Sequence, residues 1–595
     1  METDIVKTDL LIVGAGPAGA SLACFLASHG RTGIMISAAP GCAETPRAHI
    51  TNMAALECLR DIDLDQQCIA AAPAGQDMTH TRWCHSMAGE EYARLYSWGH
   101  DPKRRGDYDA ASPCDHIDLP QTELEPILTR RAVAKGWTLR FNTTFLTFTR
   151  PSDAPDVIIS TIRDDVSGKT YNIQSRFLFG CDGARSQVIR ELGLPLIKKP
   201  GQGLALNVLL KADLSHLVKN RTGNLHWVFQ PEREHPAWGW ACVVRMVRPW
   251  TEWMFVFMPP PGANIKTDDM VASHDEYLAR AKETIGDDSV NVEILHVSKW
   301  WINEIVAEHY SDGNVFCLGD AVHRHPPFNG LGSNTCLQDA FNLAWKISYV
   351  MSGRAGPKLL DTYSAERQPV GLDLVTRANQ GMRDHVPWMQ AIGMTEPDVE
   401  KRRALLAEFE DKGDVGRQRR QQFHRGIEST GTEFHGLGIE MNQQYSSDAV
   451  YRADEPEGMP PLPQDAVRQR LISSYPGMRL PHAWLNTRVP GTQLSTIDLA
   501  GHGAFCLLTG PGGQAWKEAT AKVAKVVNVD IRGYSIGWKQ DYEDVYFDWE
   551  KRREVEEDGC VLVRPDRFVA WRSKSMVGDA RAKLEEVMRK VLCLS

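Results

Sequence analysis

Nowhere in this chain of 595 residues do two cysteines stand three apart, although there are 13 of them. That excludes zinc ribbons and dithiol redox motifs. An odd number of thiols scattered from Cys24 to Cys593 reads as reduced, mostly buried side chains, with the cytoplasm as the expected setting. Long apolar runs are also missing, so no transmembrane helix is expected. The opening Met1-Glu2-Thr3-Asp4 is acidic and leads straight into a strand-like run, so no signal peptide is expected either. Basic residues are not in excess. With 67 Lys+Arg against 76 Asp+Glu the net charge is −9, which argues against nucleic acid as a partner. Repeats and low-complexity tracts are absent. What remains is a globular composition, 42% hydrophobic and 24% charged, at a length that suits several domains of roughly 150 residues.

The apolar run Leu10-Leu11-Ile12-Val13 fits a strand buried on both faces. Gly14-Ala15-Gly16-Pro17-Ala18-Gly19 follows it. Ala20 to Ser28 then carries Leu22, Phe25 and Leu26 at helical spacing, and Gly33 to Ser37 is a second short strand. Together they form a βαβ unit. Val157–Arg163 and Tyr171–Phe179 read as strands around a Ser167-Gly168 turn, the second ending in Gly180-Cys181-Asp182-Gly183. From Gly203 to Val306 β-like stretches recur, and seven of the 17 tryptophans fall between Trp227 and Trp301. An antiparallel sheet with an aromatic face, able to wall a pocket for a flat molecule, is expected there. Asn314–Leu318 is another buried strand, and Asn334–Met351 a helix. A charged helical stretch, Asp398–Gln422, comes before the best linker candidate, Asp454–Pro463. Beyond it a strand, a helix, a strand and a hairpin predict a small terminal α/β unit.

The Gly14, Gly16 and Gly19 pattern between strand and helix is a dinucleotide fingerprint. Its glycines allow a tight turn, a close backbone approach to a pyrophosphate, and close helix–strand packing. The acidic residue that usually closes the second strand is replaced by Ser37, which offers a hydroxyl to a ribose without charge. Two further Gly-rich strand–helix junctions exist, at Gly180–Ser186 and at Gly319-Asp320 through Asn334. Acids at such strand ends can accept from ribityl or ribose hydroxyls. Helix N-termini can donate to a flavin carbonyl.

On these segments, with Thr45-Pro46-Arg47-Ala48-His49-Ile50-Thr51-Asn52 and Asp118-Leu119-Pro120-Gln121-Thr122, the chain resembles the class A flavoprotein monooxygenases. This is the p-hydroxybenzoate hydroxylase group, and the likeness is strongest to its phenol 2-monooxygenase and 2,4-dichlorophenol 6-monooxygenase branch. The resemblance implies an α/β fold. A glutathione-reductase-type Rossmann-like FAD-binding domain (1–195 with 307–400) would carry an antiparallel-sheet substrate domain (196–306 with parts of 75–120). A helical segment and linker (401–463) would lead to a C-terminal thioredoxin-like domain (464–595). It also implies non-covalent FAD and NADPH or NADH as co-substrate. Gly14, Gly16, Ala18 and Gly19 would face the pyrophosphate and Ser37 the ribose. Arg47 and Gln121 would reach the phosphate and ribityl region, and Asp320 would hold the ribityl. Pro327, Gly330, Gly332, Ser333 and Asn334 would lie by the isoalloxazine, and Asp182 would serve FAD and the nicotinamide nucleotide.

The implied reaction is hydroxylation of a phenol by a flavin C4a-hydroperoxide, with O2, NAD(P)H and the phenol as partners and a homodimer as a possible assembly. A base at the phenolic hydroxyl would enrich the attacking ring carbon. Phenol hydroxylases carry an Asp shortly after the arginine loop, and His49 aligns with it. A His of ordinary pKa could take that proton at neutral pH. His323 and His325, on the flavin loop, are rivals. Oxidative decarboxylation of a hydroxybenzoate, or dearomatising hydroxylation, is the alternative outcome. A halogenase is disfavoured, because its lysine in a Trp-x-Trp-x-Ile setting is missing and Trp238-Gly239-Trp240 lies in the wrong region. A non-catalytic flavin-binding regulator is the remaining class. No metal site is expected.

Overall fold

Leu10–Val13 is buried at every position, as a strand flanked on both faces must be. It lies within a six-stranded sheet ordered Ser311–Asp312, Val315–Cys317, Phe177–Gly180, Leu10–Val13, Ile34–Ile36, Thr138–Arg140. All pairs are parallel except the first. The register sets Gly180 opposite both Val13 and Cys317. Three strands therefore end level, and their Gly-rich turns emerge side by side at one edge, where open α/β sheets bind ligands. The helices Pro17–Ser28 and Gly332–Met351 pack against each other beneath those turns. The computed structural model describes residues 5–199, 203–260 and 271–594; the acidic opening, residues 1–4, lies outside them.

One predicted strand is two. Tyr171–Phe179 divides into Thr170–Ser175, in a four-stranded sheet, and Phe177–Gly180, in the six-stranded sheet. Arg176 marks the crossing: its backbone N–H and that of Phe177 both donate to Asp9 O. The charged stretch is likewise two helices, Val399–Glu410 and Asp414–Ser429, because Gly413 interrupts it.

The second large sheet has seven strands, ordered Glu293–Trp301, Leu204–Lys211, Glu252–Met258, Ala241–Arg248, Leu225–Val228, His80–Cys84, Glu91–Tyr96. It is antiparallel except where Leu225–Val228 runs parallel to His80–Cys84. That exception arises because the last two strands come from a distant part of the chain. One face is filled by Val244, Phe255 and Phe257 against the helix His274–Ile285. On the other, Leu225, Val243 and Val256 remain half-buried and Arg245 lies opposite Leu225 and Met254. The tryptophans divide between the faces. Trp227 and Trp240 join the site-side cluster, whereas Trp238 and Trp253 fill the helix-covered core or its margin.

The C-terminal sheet is ordered Ile531–Ser535, Phe505–Thr509, Cys560–Val563, Val569–Ser573, with the first pair parallel, and the helices Gln514–Val527 and Ala580–Val591 cover it. This unit is joined to the rest of the chain by ion pairs. Within the linker candidate, Glu455 pairs with Arg572 (2.7 Å) and Asp454 with Lys583 (2.9 Å). Three C-terminal arginines also reach into the first domain: Arg479 to Glu57 (2.8 Å), Arg567 to Asp61 (3.0 Å) and Arg564 to Glu366 (2.5 Å). All six side chains are buried. Removing the C-terminal unit would take these arginines from Glu57 and Asp61 and leave Glu366 with Lys346, so it cannot be neutral for the rest of the molecule. All 13 cysteines are free thiols, and 11 are buried. Among the described residues no helix is long and apolar enough to cross a membrane.

Candidate active site

The turn after Leu10–Val13 needs its glycines for distinct reasons. Gly14 has φ +108°, and a Cβ there would lie 2.1 Å from Cys181 O. A Cβ at Gly19 would sit 1.9 Å from Gly14 O, so the helix closes on the strand through it. At Gly16 a Cβ would meet nothing nearer than Glu125 Oε1 at 3.8 Å, so this backbone borders open space. Neither Pro17–Ser28 nor Gly332–Met351 has a side-chain cap, which leaves the N–H groups of Ala18, Gly19, Ser333 and Asn334 among those free for an anion or carbonyl. The two N-termini and the Gly319 turn converge. A Cβ at Gly319 would lie 3.1 Å from Ala18 Cβ and 2.7 Å from Cys336 Sγ.

The remaining expected cofactor residues fall into two groups. Asp320 and Arg47 are exposed at this edge, neither within 4.0 Å of an opposite charge among the described residues, and Ser37 is half-buried at the end of its strand. Such side chains suit ribityl, phosphate and ribose oxygens. Pro327 is exposed, while Gly330, Gly332 and Ser333 line the loop half-buried. The other group is already engaged within the chain. Asn334 accepts from Asn52 N–H (2.9 Å) and donates to Ile50 O (2.8 Å) and Gly330 O (2.5 Å), pinning the loop to the His49 segment. Asp182 caps the helix Gln187–Leu192, accepting from the backbone N–H groups of Gln187 (2.7 Å) and Val188 (3.1 Å) and from Ser186 Oγ (2.5 Å). Gln121 donates to Glu125 Oε1 (2.5 Å), and Glu125 Oε2 accepts from Ala43 N–H (2.7 Å). The uncapped helix ends, the open space at Gly16 and the free carboxylate and guanidinium together fit a dinucleotide cofactor of the FAD type.

His49 lies at the seam with the large sheet. Its strand, Ile50–Thr51, pairs antiparallel with Ile117–Asp118, and Leu119 N–H donates to His49 O (2.7 Å). This register brings His49 Nδ1 to 3.8 Å from Asp118 Oδ1. Asp118, 1% exposed, accepts from Arg245 Nη2 (2.6 Å) and Asn224 Nδ2 (2.8 Å), both from the large sheet. Burial and then Arg245 hold His49 well below the usual histidine pKa. It therefore does not have the ordinary pKa expected from sequence; it is a neutral imidazole of low basicity. Burial raises Asp118, while Arg245 and Asn224 oppose that rise.

The loop that carries Phe328 meets the large sheet through aromatic contacts. Phe328 lies 6.3 Å from Trp227, which stacks on His385 at 4.2 Å, and Trp388 stands edge-on to Trp227 at 5.8 Å. His323 is fixed by Asp339 (2.9 Å) and His325 by Pro326 O (2.6 Å), so both rivals to His49 are tied down structurally. Burial lowers His325 to about 4. Sequence reasoning did not single out Glu125, Asn224 or Arg245, and used Asp118 only as part of a motif. Arg245 did leave a signal: unlike the exposed Arg248 that ends the strand Ala241–Arg248, it is a cation set among apolar residues and buried.

The family model described as FAD binding domain matches residues 7–378, and that of the C-terminal region of aromatic-ring hydroxylases matches 473–593. The 2,4-dichlorophenol 6-monooxygenase of Cupriavidus pinatubonensis is 39% identical over 588 residues, covering 99% of this chain and 96% of that one. Phenol 2-monooxygenase of a Pseudomonas species is 39% identical over 592 residues, covering 99% and 93%. The crystal structure of the flavin-dependent monooxygenase PieE in complex with FAD and substrate matches with a TM-score of 0.92 at 38% identity, over 99% of this chain and 100% of that one.

Proposed function

This chain belongs to the family of FAD-dependent aromatic-ring monooxygenases, and we propose on that premise that it hydroxylates a phenol ortho to its hydroxyl, with NADH or NADPH as hydride donor. The observation that carries the reading is the placement of a buried, neutral His49 between a dinucleotide cradle and an aromatic-lined sheet. When bound, FAD supplies hydride acceptance and the activation of O2 for transfer of one oxygen atom.

The chain's own residues would hold and orient. The backbone of Gly14, Gly16, Ala18 and Gly19 would take the pyrophosphate, Ser37 the ribose, Arg47 and Gln121 the phosphate and ribityl region, and Asp320 the ribityl hydroxyls. Pro327 through Asn334 would border the flavin ring, with Asn334 fixing the backbone there. Asp182 would act through the turn it caps. Trp227, Phe328 and the half-buried Leu225, Val243 and Val256 would enclose the aromatic ring and keep water from it. His49 would accept the phenolic proton. The C-terminal strand–helix–strand–hairpin–helix order supports a thioredoxin-like domain. Its exposed Trp538, Tyr546 and Phe547 support pairing of two copies there, and 13 free thiols support a reducing compartment such as the cytoplasm.

A phenol panel tests this. The yellow protein should oxidise NADH or NADPH slowly alone and at least about tenfold faster with its phenol, with O2 uptake matching nucleotide consumption. No stimulation by any phenol, hydroxybenzoate or larger hydroxyarene would overturn it.

A further inference from the structure

We propose that Asp118 and Arg245 complete His49 as one proton-accepting unit: Asp118 keeps the imidazole hydrogen on Nδ1 and balances the imidazolium, and Arg245 fixes Asp118. This rests on the reading of His49 as the base. Nδ1 is sealed from solvent and has no hydrogen-bond partner, with the Asp118 carboxylate as its facing group at 3.8 Å. The 9% of the side chain that stays accessible lies away from that atom. A hydrogen on Nδ1 directed at Asp118 leaves the Nε2 lone pair for a ligand. In the reverse tautomer an Nδ1 lone pair would face a carboxylate inside the protein, which is repulsive.

The proton balance is simple. The phenol O–H bond breaks and an Nε2–H bond forms, giving phenolate and imidazolium. The imidazolium then presents Nδ1–H to Asp118, and a closure of under 1 Å makes a charge-assisted bond. Arg245 opposes a charge on His49 but favours the phenolate and counters the rise that burial imposes on Asp118. That explains how a histidine of low basicity at rest can still act once a phenol is bound. Both partners are needed in place beforehand. The register of Ile50 against Asp118 supplies one, and the sheet-borne Arg245 and Asn224 supply the other, so the unit forms across the two domains that clasp the ring. Two charged groups face the imidazole, Asp118 from its own domain and Arg245 from the sheet. The nearby His226 points to the opposite sheet face, bonded to Gly223 O (2.8 Å).

The test compares Asp118→Asn with His49→Ala on two substrates, a simple phenol and a nitrophenol already ionised at the assay pH. FAD content and NAD(P)H-driven flavin reduction are checked in each. With the simple phenol both variants should lose about 10²-fold or more in product formation, and the double variant should lose little more than His49→Ala. With the nitrophenol both should recover to near wild type. A full loss in His49→Ala with wild-type rates in Asp118→Asn overturns the unit but leaves the base. No loss in His49→Ala overturns the reading beneath it. Because Asp118→Asn leaves Arg245 buried without its partner, a second readout uses the intact protein. Nitrogen-15 histidine spectra, with the His49 signal assigned from its loss in His49→Gln, should show the Nδ1–H tautomer and no titration between pH 6 and 8. An Nε2–H tautomer, or a midpoint in that range, overturns the proposal.

Discussion

Gly16→Ala is expected to leave the apoprotein folded and yet strip it of flavin. The position has φ −71° and ψ −171°, which alanine adopts without strain, and the new methyl would have 3.8 Å to its nearest neighbour. Nothing in the protein resists the change. The methyl would stand in the space that a pyrophosphate must enter to reach the free N–H groups of Pro17–Ser28. Affinity for FAD should fall at least about tenfold, with the melting temperature of the flavin-free protein unchanged. Gly19→Ala is the contrast. Its methyl would sit 1.9 Å from Gly14 O, a backbone atom that cannot rotate away. Helix and strand must part, so flavin and stability should fall together, stability by about 1–3 kcal/mol. Titrating FAD into each apoprotein by flavin fluorescence, beside thermal melts, separates the two. Normal flavin binding in Gly16→Ala would show that the phosphates lie elsewhere.

Arg564→Ala should be among the most damaging single changes outside the site. Its guanidinium is fully buried and grips Glu366 through two bonds, 2.5 and 2.8 Å, and Asp566 through Nε at 2.9 Å. Lys346 reaches Glu366 at 2.7 Å, also fully buried, and burial with Arg564 lowers that lysine to about 8. Two cations and two anions thus balance. Deleting Arg564 leaves two buried carboxylates against one ammonium, and such breakage typically costs about 3–5 kcal/mol. Because Asp566 and Arg564 belong to the C-terminal unit and Glu366 to the first domain, the loss falls on their docking. Urea unfolding should show an earlier transition, and limited proteolysis should cut first within 454–463. An unfolding curve within about 0.5 kcal/mol of wild type would show that the cluster contributes no net stability.

The nucleotide-binding half was legible because its rules are local. Leu10–Val13, the Gly-rich turn and the helix follow one another in the chain, and each residue type answers a constraint imposed by its neighbours. Helix Gln514–Val527 and the hairpin near Pro565 were legible for the same reason. The proposed proton-handling cluster was not. His49, Asp118, Asn224 and Arg245 come from segments far apart in the chain, and only the pairing of two two-residue strands with each other, and side-chain bonds from Arg245 and Asn224 to Asp118, bring them together. Likewise, Asp454–Pro463 has the composition of a free linker, but Arg572 and Lys583 bind its acids, and nothing local announces those partners. The altered pKa of His49 has the same origin. Its low basicity comes from burial and from Arg245, neither of which lies beside it in sequence.

Turnover under oxygen-18 gas tests the central claim most directly. The purified protein, NADH or NADPH, and the phenol that most stimulates nucleotide oxidation are incubated in ordinary water, and the product is weighed by mass spectrometry. The expected product is the substrate plus one atom of heavy oxygen, formed in step with nucleotide consumed, with its carbon skeleton intact and no label acquired when heavy water replaces heavy gas. Oxygen drawn from water, release of carbon dioxide with the gain, or hydrogen peroxide as the sole product would contradict it.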